Sequence, residues 1–158
     1  MDIKIDSKEI IPFGDFELGW RFSELHNPNI SEEDLRQILP LSVTESKRLN
    51  KIIDFYEIES NRFINYQQTD WFRSSQENEQ KIEKFKNYLT EKLSNFPEDL
   101  IISWDRKTTL KTNKTIFLKY WTDFLYPLSD DVTIISENIN WILFFTHYEV
   151  SNLWIKKQ

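Results

Sequence analysis

Two adjacent aspartates, Asp130 and Asp131, stand just before a strand-like run, and His147 and Glu149 close the run that follows. Paired carboxylates can share general acid–base work, and a histidine beside a carboxylate can move a proton or ligate a metal ion. Residues two apart in a strand share a face. Trp141, Leu143, Phe145, His147 and Glu149 would then line one side, and Ile142, Phe144, Thr146, Tyr148 and Val150 the other. A non-haem metal site needs a third ligand, and His26 is the only other histidine in the chain. No metal site and no cofactor are therefore expected. The stretch PLSDD, Pro127–Asp131, reads more simply as turn chemistry, with serine and aspartate capping loop amides after a helix stop. No nucleophile elbow is present, and two glycines cannot build a glycine-rich phosphate loop. No catalytic residue is assigned, and the chain is not read as an enzyme.

The elements that must position these residues follow from caps and periodicity. Ser31 is a good N-cap, Glu32, Glu33 and Asp34 suit the positive end of a helix, and Leu35, Ile38 and Leu39 give its buried stripe before Pro40. Ser42 and Glu45 have capping-box spacing, and Leu49, Ile52, Ile53 and Tyr56 fall on one face of the helix they open. Residues 61–76 show no period and read as an irregular connection pinned by Phe63, Trp71 and Phe72. A third helix carries Ile82, Phe85, Leu89, Leu93 and Phe96 and stops at Pro97. A short strand at Leu100–Trp104 leads through a loop, Arg106–Thr109, into a helix capped by Thr112 or Asn113. Its wide stripe, Ile116 to Leu125, should lie flat on a sheet. Arg106 or Lys107 would meet Asp130 or Asp131 across neighbouring strand ends. Strands at Val132–Ser136, Trp141–Tyr148 and Leu153–Lys157 complete the chain, the second central and the third an edge guarded by its lysines. The predicted fold is α+β, with a helical N-terminal two thirds and a C-terminal antiparallel β-meander crossed by one helix. Residues 1–158 are read as a single domain.

Composition narrows the function. With no cysteine, disulfides, thiolate zinc sites and cysteine nucleophiles are excluded. No apolar run approaches the roughly 20 residues of a membrane span, and MDIKIDSKEI lacks the pattern of a secretion signal. A cytoplasmic protein without a membrane partner is expected. The net charge of −6 lies wholly in residues 1–60, the remainder being balanced. Such a surface serves solubility, repels phosphate backbones and attracts basic partners, so no nucleic-acid partner is expected. Aromatic residues make up 15% of the chain, enough for an aromatic core and for exposed anchors at a binding surface.

The order of Ser103–Asp105 (SWD), Tyr120–Pro127 (YWTDFLYP), Ser129–Ser136 (SDDVTIIS) and Trp141–Glu149 (WILFFTHYE) resembles small bacterial proteins of unassigned function and immunity proteins of bacterial toxin systems. Ile30–Ser42 (ISEEDLRQILPLS) is similar to the opening of such proteins, and the stronger part lies at residues 99–150. The resemblance implies a cytoplasmic inhibitor that binds and blocks a toxin, and it carries over no catalytic residues. A basic toxin domain would be the partner, steered by charge. The partner-facing residues on this reading are Glu32, Glu33 and Asp34, with Asp130, Asp131, His147 and Glu149. A small enzyme or ligand-binding domain using the last four is the alternative.

Overall fold

The computed structural model describes residues 3–58 and 65–158. Three short 3-10 turns, Ser7–Glu9, Phe13–Asp15 and Gly19–Phe22, lead into Glu32–Leu35 (α1), Leu39–Pro40 (β1) and Val43–Ile58 (α2). Then come Tyr66–Gln68 (β2), Phe72–Arg73 (β3), Glu79–Lys92 (α3), Leu100–Ser103 (β4) and Thr109–Thr112 (β5). The chain continues through Lys114–Lys119 (α4), Trp121–Phe124 (α5), Val132–Ser136 (β6), Trp141–Thr146 (β7) and Val150–Lys156 (β8). The strands form one eight-stranded sheet, ordered β1-β5-β4-β6-β7-β8-β2, with β3 also on β8. Every pairing is antiparallel.

The caps hold the helices where the sequence places them. Ser31 Oγ accepts Asp34 N–H at 3.1 Å, Ser42 Oγ accepts Glu45 N–H at 3.1 Å, and Asn113 Oδ1 accepts Ile116 N–H at 2.9 Å. Asn78 caps α3 through Lys81 N–H at 2.9 Å.

The expected helical N-terminal two thirds is not what forms. Helix accounts for 36% of the chain and strand for 24%, and α1 is a single turn. Three strands from that region, β1, β2 and β3, join the sheet. Each has two or three residues, too few to show a period, and is extended because it pairs with a neighbouring strand. Phe63 lies outside the described residues. Phe72 packs on Phe85 and Tyr88 with ring centroids 6.0 and 4.4 Å away, while Trp71 is exposed.

Three further expectations are corrected. The loop Arg106–Thr109 does not run straight into a helix, because Thr109–Thr112 pairs with Leu100–Ser103 as a hairpin. The helix after it breaks at Tyr120 (φ −120°, ψ 25°) into α4 and α5. β8 is not an edge strand, since β7 lies on one side and β2 and β3 on the other.

Both sheet faces bury apolar groups. Leu100, Ile102, Val132, Ile134, Trp141, Leu143, Phe145 and Leu153 pack with Phe85, Leu89 and Leu93 of α3 and with Phe117, Trp121 and Phe124 of α4 and α5. The opposite residues, Ile101, Ile135 and Ile142, meet Leu49 and Ile53 of α2 together with Ile3, Leu41 and Tyr66. Gly19 sits against the Phe13 backbone so closely that a Cβ would lie 1.9 Å from its carbonyl oxygen. Only glycine fits there, and the tight turn presents Trp20 and Arg21 to the end of the sheet. No helix among the described residues is long and apolar enough to cross a membrane.

Candidate functional site

The turn between α5 and β6 is built around Asp130. Its carboxylate is buried and held by both Arg21 terminal nitrogens, Nη1 to Oδ2 at 2.7 Å and Nη2 to Oδ1 at 3.0 Å. Oδ2 also accepts Tyr126 N–H at 2.9 Å, and Oδ1 accepts the Ser129 hydroxyl at 3.1 Å. Burial works against ionisation of Asp130, but the Arg21 bonds and the Tyr126 N–H outweigh it and hold the carboxyl below the usual range. The Arg21 guanidinium lies 3.8 Å from the centroid of the Tyr126 ring, a cation–π contact within the same buried cluster. The counter-ion of Asp130 is thus Arg21, and neither Arg106 nor Lys107 takes that place.

Asp131 points the other way. Its Oδ1 accepts His147 N–H at 3.0 Å and lies 2.8 Å from His147 Nδ1. Partial burial disfavours the Asp131 charge, yet the His147 backbone and ring contacts together lower its pKa. Glu149, at φ 58°, closes the β7–β8 turn, and its Oε1 accepts Gln76 N–H at 2.9 Å. Of the four residues singled out by the sequence, Asp131 and His147 therefore come together, whereas Asp130 and Glu149 are turned to separate structural partners. An aspartate on one ring nitrogen fixes an imidazole's tautomer and orientation. The other, Nε2, makes no hydrogen bond among the described residues and stays available to a partner group. Among those residues no group of three or more His, Cys, Asp or Glu is arranged to hold a metal ion.

Around this turn lies an exposed apolar surface that the residue pattern did not disclose. Leu128 is 87% exposed at φ 71°, its N–H bonded to the His147 carbonyl at 3.1 Å. Tyr148 is 73% exposed and stacks on the His147 ring, with centroids 4.0 Å apart. On the other side of Tyr126 stands Trp20, 6.0 Å from the tyrosine ring and 4.8 Å from His26. His26 Nε2 meets the Tyr126 hydroxyl at 2.9 Å, and the neighbouring Leu25 is fully exposed. Contacts therefore run from Trp20 and His26 through Tyr126 and the Leu128 turn to His147 and Tyr148. Both histidines of the chain lie in this cluster. The sequence signal was a leucine between Pro127 and Ser129, where turn chemistry favours a small or polar residue.

Glu32, Glu33 and Asp34 belong to another place. Asp34 bonds Lys119 Nζ at 2.7 Å and accepts the Tyr120 hydroxyl, so α1 is tied to α4. These two bonds, that to Lys119 first, lower the Asp34 pKa against a small opposing effect of burial. Glu32 faces Arg36 at 3.7 Å on open surface, and Glu33 is exposed.

A family model described as "Protein of unknown function (DUF2947)" matches residues 10–153. No curated protein and no solved structure matches the chain.

Proposed function

The chain belongs to the DUF2947 family of proteins of unknown function, and from that premise and the geometry above we propose that it acts by binding another protein. Its docking surface is the exposed cluster of Trp20, Leu25, Leu128 and Tyr148. Leu128 carries this reading. A leucine in the left-handed region is disfavoured by about 1–2 kcal/mol, and at 87% exposure its side chain gives little back through burial. Folding offers no reason for leucine there, whereas presenting an apolar anchor on a rigid turn does. Tyr148, braced by His147 and through it by Asp131, is a second anchor of the same kind.

The surrounding charge gives the partner its chemistry. Asp131 flanks the cluster, and Glu24 adjoins Leu25 in the chain. A partner presenting apolar residues ringed by lysine and arginine suits this surface. The finer form of the reading is an immunity-type inhibitor in the cytoplasm that occludes a basic toxin domain. The small-enzyme alternative rests on the Asp131–His147 pair and loses two of its four groups to Arg21 and Gln76.

The test is co-expression with the products of neighbouring genes, purification of the complex and mass spectrometry of the partner. One stoichiometric partner is expected, and Leu128→Asp or Tyr148→Asp should release it while the melting temperature holds. A complex that forms equally well with both variants removes this surface from the interface. Failure of any partner to co-purify counts against the binding role itself.

A further inference from the structure

Among the described residues, the sheet face that α2 covers is not covered throughout. Beside α2, β6, β7 and β8 leave an open groove of about 650 Å³, within the range of small-molecule sites, roughly 300–1,000 Å³. Phe144 and Trp154 form its floor, edge to face with centroids 6.2 Å apart, and Trp71 stands at its side, 58% exposed. The polar part of the floor is rigid. Buried Asn152 accepts Gln68 Nε2–H at 2.9 Å and the Trp154 indole N–H, and donates to the Thr69 carbonyl at 2.6 Å.

Charge decides what such a groove prefers. Asp54, Asp105 and Asp131 border it against one cation, Arg106. Asp105 Oδ1 accepts Lys107 N–H and Asp131 is paired with His147. The half-buried Asp54 carboxylate has no hydrogen bond or ion pair among the described residues. Aromatic faces add their own negative potential, so an anion is opposed and a neutral ring gains only its apolar burial.

We propose that this groove binds a small organic cation, an ammonium, guanidinium or amidinium group on a flat apolar body. The charged head sits within reach of Asp54 and the Trp71 indole, and the body lies along Phe144. This site is separate from the docking surface in residues and in ligand, and meets it only at Asp131.

The test titrates the full-length protein with benzamidine and with its neutral counterpart benzamide, followed by tryptophan fluorescence and by NMR of the indole N–H groups. Benzamidine should bind saturably, with its largest shifts at Trp71 and Trp154. Benzamide should bind about tenfold more weakly, having lost the cation–π and ion-pair contacts. Asp54→Asn should weaken benzamidine about fivefold and leave benzamide and the melting temperature unchanged. Trp71→Ala should weaken both ligands. No saturable benzamidine binding at millimolar concentration, equal affinity for the two compounds, or an Asp54→Asn variant that binds benzamidine undiminished would each overturn the proposal.

Discussion

The two faces of the sheet are made by the same strands and finished differently. Trp141, Leu143 and Phe145 point to one face and are almost wholly buried under α3, α4 and α5. Their neighbours Ile142, Phe144 and Thr146 point to the other, where Ile142 is buried by the cluster under α2 but Phe144 and Thr146 border the groove. Alternation alone makes either face a candidate for the core. The helices decide: α3, α4 and α5 pack on one face and α2 on the other, so the first is closed while the second leaves a groove open.

The sharpest way to break this contrast is to truncate one aromatic on each face. Phe117→Ala, in the closed core, should lose about 3–5 kcal/mol in urea denaturation. Phe144→Ala, on the open face, should lose about 1–2 kcal/mol. Equal losses would mean that the groove is as much a core as the helical side.

Asp130→Asn comes next, at about 3 kcal/mol, because it leaves the Arg21 guanidinium buried without its counter-charge. The folded pKa of Asp130 is depressed, so its contribution is complete above the unfolded-chain value and is lost as pH falls through the folded one. Melting temperatures should therefore drop below about pH 4 in the wild type, and less steeply in the variant.

Leu128→Gly should keep the full stability or gain about 1 kcal/mol, as glycine accepts the left-handed turn without strain. Partner capture should fall at the same time. A variant that loses both fold and binding would show that Leu128 is structural. The smallest effect belongs to Glu32→Gln, below about 0.5 kcal/mol, because its pair with Arg36 is long and fully solvated. Unchanged partner binding in that variant would separate the acidic α1 face from the docking surface.

What could be read from the chain follows the same division. β6, β7, α2 and α3 were legible, because long apolar runs, helical stripes and side-chain caps are local signals. β1, β2 and β3 were not, since a piece of two or three residues becomes a strand only by lying beside another. β5 was hidden by Lys111, whose ammonium pairs with Asp99 and Glu137 at 3.3 and 3.0 Å and so tolerates a place in the sheet. The candidate site was half legible. Asp131 and His147 were named and do meet, but Arg21 reaches Asp130 across 109 positions from a segment of 3-10 turns with no periodicity. Asp54 gave no sign either, as it sits on an ordinary helix, and Trp71 was read as a pin of the irregular connection, yet it stands exposed.

β8 shows how the molecule guards its borders. Its first residues take β3, its last take β2, and at the far side of the sheet β5 takes β1. The outermost strands are thus two or three residues long, one of them half proline. Among the described residues, a second chain finds no long row of unpaired amides on which to stack, which is the first requirement of fibril growth. These border pieces precede the strands they cover in the sequence. On the ribosome they emerge first, so the segment that will cover each border is already synthesised when its partner strand arrives.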